Sequence, residues 1–130
     1  MKVTRFEDLR AWQRARELTN LVYAASRVDP FAHDFAMCKQ IRSAAISVMS
    51  NIAEGFDRHR DSEFLYFLRV AKASCGEVRA QTYIAFDQRY INDAQLESLL
   101  AKSAQASGAI RRLQESIERP GTRDPGPGTT

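Results

Sequence analysis

Gln40-Ile41-Arg42-Ser43-Ala44-Ala45-Ile46-Ser47-Val48-Met49-Ser50-Asn51-Ile52-Ala53-Glu54-Gly55 is the stretch whose reading decides the fold. In and just before it, Cys38, Ile41, Ala45, Val48, Ile52 and Gly55 follow steps of three and four, which align as one stripe on a helix. Phe35, Met49 and Phe56 lie beside that stripe with Arg42 between them, and Ile46 and Ala53 flank its other side. The apolar face is therefore wider than one partner helix requires. A second phase, Gln40, Ser47 and Glu54, repeats every seven residues with Ser43 and Ser50 nearby. Small side chains let two helix backbones approach closely, and Ser, Asn and Glu can then hydrogen-bond across the gap. This helix is expected to be buried on more than one side, partly by its own chain and partly by a partner subunit.

Upstream, Thr4 with Glu7 three residues on predicts a capping box, opening a helix from about 6 to 28. Ala11, Ala15, Leu18, Val22 and Ala25 form its stripe, widened by Trp12 and Leu21. Asp29-Pro30 should stop it, because proline disfavours a helical residue before it and suits the first turn of the next helix. The central helix then runs from about 31 to 57. Gly55 either supplies a left-handed C-terminal residue or permits a close crossing.

The polar link Asp57-Arg58-His59-Arg60-Asp61 is short enough to make the flanking helices antiparallel neighbours. A third helix is expected from Asp61 or Ser62 to about Tyr90, with Phe64, Leu68, Ala71, Cys75, Val78, Thr82 and Ala85 on its stripe. Gly76 would make sense inside it if another backbone passed close by. Asn92 or Asp93 should cap a fourth helix ending before Pro120, with Gln95 three residues after Asn92. These elements predict an all-α, antiparallel, up-down-up-down four-helix bundle over residues 1–118. Residues 119–130 hold three prolines and three glycines and are expected to form a flexible tail.

A length of 130 residues suits one domain with a real core. Net charge is +3, from 15 Arg and 4 Lys against 16 acidic residues. That balance permits nucleic-acid binding without demanding it. No apolar run reaches the roughly 18 residues of a membrane span, and the N-terminus turns charged at once, so a cytoplasmic protein is expected. Cys38 and Cys75 fall on apolar stripes and read as reduced core thiols. A di-iron bundle needs Glu-x-x-His sets on facing helices, and His33 and His59 supply none, so no metal or other cofactor is expected.

Phe6-Glu7-Asp8-Leu9 with Trp12, Gln40-Ile41-Arg42, Ser47 with Asn51-Ile52-Ala53-Glu54-Gly55, and Ala73, Ser74 and Glu77 together resemble the four-helix-bundle proteins encoded in 23S rRNA intervening sequences. The accessory variability proteins of diversity-generating retroelements are similar to that group. The resemblance covers roughly residues 5 to 117. It implies a ring-shaped homopentamer of largely uncharacterised role, for which nucleic-acid binding is proposed, and it brings no known reaction.

Arg42, Asn51, Glu54 and Glu77 admit two readings. Two carboxylates and an arginine can bind or activate a substrate. Alternatively Arg42 pairs with Glu54 or Glu77, and Asn51 ties adjacent helices or subunits together, since buried charges persist only when paired. The second reading is preferred, with Gln40, Ser47 and Gly55 in the same structural role, and no enzyme is expected.

Positive charge concentrates at the first helix, where residues 1–28 carry six basic and three acidic side chains. Arg5, Arg10, Arg14 and Arg16 are the leading candidates for phosphate contacts. Arg58 and Arg60 in the second link come next, and Arg111 and Arg112 are secondary. The competing reading is a solvated face with helix ion pairs such as Glu7 to Arg10. The expected partners are therefore a second copy of the chain and RNA or DNA. The alternative is a structural or protein-interaction module that docks another protein and no nucleic acid.

Overall fold

The computed structural model describes residues 3–119, which lie in four long helices, two short 3-10 turns and their links. The helices are α1 (Arg10–Ser26), α2 (Phe35–Phe56), α3 (Asp61–Asp87) and α4 (Asp93–Glu118). Each packs on its neighbours in the chain, and α4 closes back onto α1, completing the antiparallel four-helix bundle. Among the described residues no helix is long and apolar enough to cross a membrane. The tail expected over 119–130 lies outside the described residues except for Arg119.

The stripes fill the core as their spacing requires. Leu18, Ile41, Ile52, Phe64, Leu68 and Ile110 are 0–1% exposed, and each such burial contributes about 1.5–3 kcal/mol. Buried hydroxyls return to the carbonyl one turn back. Thr19 donates to Ala15, Ser26 to Val22 and Thr82 to Val78. Thr19 Oγ1 also lies 3.2 Å from the Ala45 carbonyl, which ties α1 to α2.

The helix ends depart from expectation. The Thr4 capping box does not form. A 3-10 turn at Phe6–Asp8 is followed by Leu9 in extended backbone, and α1 begins only at Arg10. Leaving the helix lets Leu9 bury its side chain and sets Phe6 edge-on to Trp12 at 5.3 Å. Likewise Phe31–His33 is a 3-10 turn, and α2 starts at Phe35 rather than Phe31. Asp34 is the cap, its Oδ1 accepting the Met37 amide at 3.1 Å. Phe31 is thereby freed to bury itself and stack on Tyr90 at 5.1 Å, while Phe35, expected beside the apolar stripe, is 77% exposed.

Helix α3 stops at Asp87, short of Tyr90, and Arg89 takes a left-handed conformation with φ of 64°. That turn swings Tyr90 back so that its hydroxyl donates to Asp34 Oδ2 at 2.7 Å. The bond holds the Asp34 carboxyl below its ordinary range, with the Met37 amide as the lesser cause, and it pushes the Tyr90 hydroxyl up. At α4 the expected box is present, with Asn92 and Gln95 each bonding the other's backbone amide.

The two glycines differ. A Cβ at Gly55 would stand 2.8 Å from Phe67 Cβ and 2.9 Å from Phe64 Cδ1, so this glycine serves a close crossing of α2 and α3. At Gly76 a Cβ would meet nothing within 4 Å, so no backbone among the described residues passes close there.

Candidate nucleic-acid interface

The helix packing brings basic side chains from three helices to the two sides of α4. On one side, Arg10 and Arg14 from α1 face Ala104, Gly108 and Arg112 from α4 across an open groove of about 420 Å³. Small residues make the groove: the position a Cβ would take at Gly108 is 3.4 Å from Arg112 Nη1, so the glycine leaves room for that guanidinium. Arg10 and Arg112 have no acidic partner among the described residues. Arg14 bonds Glu17 at 3.1 Å, and the same carboxylate takes Lys102 at 3.2 Å, so two cations share one acid. Arg14 first and Lys102 second hold the Glu17 carboxyl below its ordinary range, so it stays ionised. The net result is an excess of positive charge along the α1–α4 seam.

On the other side of α4, Lys72 and Arg79 from α3 face Arg111 across a groove of about 500 Å³. The two grooves share Ala104 and Gly108 as common wall. Sequence reasoning missed Lys72 and Arg79. The signal was present: Lys72, Gly76, Arg79 and Tyr83 step by four, three and four, placing them on one face of α3.

The other expected phosphate ligands are placed differently. Arg5 lies near Glu7 and Asp8, at 3.6 and 3.8 Å, and Glu7 pairs with it rather than with Arg10. Arg16 stands over the Trp12 ring at 5.7 Å. Arg58 lies 2.8 Å from Glu54 and covers the Phe67 ring at 5.0 Å, and Arg60 lies 3.8 Å from Glu63. The arginines of the second link are thus paired with acids of the flanking helices, Glu54 of α2 and Glu63 of α3.

The set Arg42, Asn51, Glu54 and Glu77 is not one cluster. Arg42 reaches neither carboxylate. It turns toward α1, where its Nε donates to Ser26 Oγ at 2.8 Å and its guanidinium covers the Tyr23 ring at 4.7 Å. The reason is distance: twelve residues of helix set Arg42 and Glu54 about 18 Å apart along α2, and Glu54 finds Arg58 four residues on. Asn51 bonds within α2, to the Ser47 carbonyl at 2.8 Å and its hydroxyl at 3.0 Å. The tie between helices is made by Ser74 of α3, which donates to Ser47 Oγ at 2.9 Å. Gln40, Ser47 and Glu77 line a small groove of about 150 Å³ at the α2–α3 seam.

No three His, Cys, Asp or Glu side chains among the described residues come together as a metal site. Both cysteines are free and buried, and burial pushes the Cys75 thiol up to about 12, so it is neutral near pH 7 and no nucleophile there.

The four antiparallel helices, with cation-lined grooves on both sides of α4, define the class of all-α four-helix bundles. Within that class, this chain belongs to the 23S rRNA-intervening sequence protein family, whose model matches residues 7–112. Its fold is similar to a solved protein of unknown function from the S23 ribosomal protein family of Bacteroides thetaiotaomicron VPI-5482. That structure has a TM-score of 0.74 and 20% sequence identity, over 81% of this chain and 95% of the other. The likeness establishes the shared fold. None of the curated proteins compared with the chain matches it.

Proposed function

We propose that this protein is a non-enzymatic, self-associating helical bundle that holds RNA or DNA through phosphate contacts in the cytoplasm. The observation that carries the reading is the convergence of Arg10, Arg14 and Arg112 on one groove beside α4. Guanidinium groups in that setting bind phosphate oxygens without reading bases, and no aromatic RNA-binding motif accompanies them. Self-association into the ring of five that the resemblance implies is supported by Phe35, Ile46, Tyr66 and Ile84, which are 77%, 43%, 54% and 47% exposed in a single chain. A fivefold assembly would repeat the groove and turn a weak field into a polyvalent one.

The same exposed apolar side chains favour a second reading, a ring that docks another protein and no nucleic acid. Light scattering on the full chain, followed by titration with labelled single- and double-stranded RNA and DNA at low and physiological salt, separates the two. Phosphate binding weakens with salt, with a log–log slope of about −0.9 per phosphate neutralised on duplex DNA. Arg10→Glu with Arg14→Glu should abolish it. A wild-type oligomer that ignores all four nucleic acids at low salt overturns the proposal and favours protein docking.

A further inference from the structure

Helix α4 separates two basic grooves, and the one facing α3 has features that phosphate contacts alone do not require. Ser103 lies in its wall, only 2% exposed, and its hydroxyl has no hydrogen-bond partner among the described residues. Thr19, Ser26 and Thr82 all satisfy their buried hydroxyls on the carbonyl one turn back, so Ser103 departs from this chain's own habit. A buried donor without a partner is a cost unless a ligand or water meets it. Opposite it, Gly76 leaves the α3 wall bare, with open space where a side chain would begin.

The rim carries both charge and an aromatic face. Lys72 and Arg79 lie two turns apart on one face of α3, and neither has an acidic partner among the described residues. Arg111 stands across from them, its guanidinium 3.2 Å from Glu115. Tyr83 follows Arg79 by one turn and is 43% exposed. A volume near 500 Å³ lies within the range of small-ligand sites.

We infer that the α3–α4 groove receives one nucleotide unit of a single-stranded nucleic acid. The base lies against the Tyr83 ring, the phosphate lies between Lys72 and Arg79, and the Ser103 hydroxyl meets a polar edge. A duplex keeps its bases paired and stacked and cannot offer one to this groove, whereas a single strand can. Stacking on one ring with phosphate contacts tolerates any base, so no sequence preference is expected. This assignment rests on the phosphate-binding reading above, and it names the strand that reading leaves open.

The test is fluorescence anisotropy on the full-length protein with a labelled single-stranded RNA, the matching duplex, and AMP as competitor. The variants are Tyr83→Ala, Tyr83→Phe, Lys72→Ala with Arg79→Ala, and Arg10→Glu with Arg14→Glu, each checked by circular dichroism for an intact bundle. Tyr83→Ala should weaken single-strand binding by at least about fivefold and leave duplex binding unchanged. Tyr83→Phe should retain it, because the ring remains. Single-strand affinity unmoved by Tyr83→Ala and by the Lys72/Arg79 pair overturns the groove assignment. If Arg10→Glu with Arg14→Glu still lowers both affinities in that case, the phosphate reading survives without the groove. AMP competing as well as the strand, per nucleotide, overturns the strand in favour of a free nucleotide. Wild-type protein that binds neither strand at low salt overturns both readings.

Discussion

Helix α3 meets α2 along one side and α4 along another, and small residues do opposite work in the two seams. Against α2, Gly55 lets the Phe64 and Phe67 side chains press onto the helix backbone, and Ser47, Asn51 and Ser74 satisfy one another. Against α4, Gly76 faces empty space and Ser103 keeps an unpaired hydroxyl beside a groove of about 500 Å³. A glycine or serine in a helix is thus no signature of tight packing. What decides is whether the facing helix sends in a large side chain, as Phe64 and Phe67 do, or presents small ones, as Ala104 and Gly108 do.

The contrast can be broken most forcefully at Gly55. Gly55→Ala places a methyl 2.8 Å from Phe67 Cβ, inside van der Waals contact, and should destabilise the bundle by about 1–3 kcal/mol in urea melts. A variant as stable as wild type would show that α2 and α3 can part at little cost. Next in size, Ser74→Ala removes the hydrogen bond between the helices and should lower stability by about 1 kcal/mol, read the same way. Gly76→Ala should do the reverse and raise stability by up to about 1 kcal/mol, because it gains helix propensity and meets no neighbour. A loss there would mean that another surface seals the groove. The smallest effect is expected at Ser103→Ala, which trades an unpaired hydroxyl for a better helix former and should gain about 0.5 kcal/mol.

A titration sharpens the comparison at the residue beside Gly76. Burial raises the Cys75 thiol from an ordinary 9.0 to about 12. The folded chain therefore keeps this proton where the unfolded chain loses it. The contribution is full below pH 9 and is lost as pH rises toward about 12. Stability above pH 9 should fall less steeply in Cys75→Ala than in wild type, and folded wild type should resist alkylation by iodoacetamide near pH 8. Rapid alkylation would show that the groove opens deeper than its walls suggest.

The stripes of three-four spacing made the bundle legible, because burial of Leu18, Ile41, Ile52 or Phe64 depends only on which face of its own helix each occupies. The helix starts were harder to read. Phe31 buries better outside a helix than at its first turn, and that preference depends on Tyr90, which approaches only in three dimensions. Pairings were harder still. Arg42 stands about 18 Å along α2 from Glu54, too far for an ion pair, and its actual partners, Ser26 and Tyr23, belong to another helix. The α1 arginines were legible as a charge excess, but their meeting with Arg112 required knowing that α4 closes on α1. The α3 half of the second groove stood in plain spacing at Lys72, Gly76, Arg79 and Tyr83, hidden because the apolar stripe beside it drew the eye.

One carboxylate has a further consequence. Asp34 caps α2 with one oxygen and takes the Tyr90 hydroxyl with the other, so it clasps the start of α2 to the end of α3 across 56 residues of chain. A lowered aspartate contributes stability above its ordinary titration and loses it as acid protonates the folded chain. A raised tyrosine contributes below its ordinary titration and loses it in strong alkali. The clasp is therefore whole only between those limits, roughly pH 4 to pH 10. A proton added to Asp34 loosens the helix cap and the clasp together, so in acid this end of the α2–α3 hairpin should open as a unit, before the seam at Gly55 and Phe67 gives way.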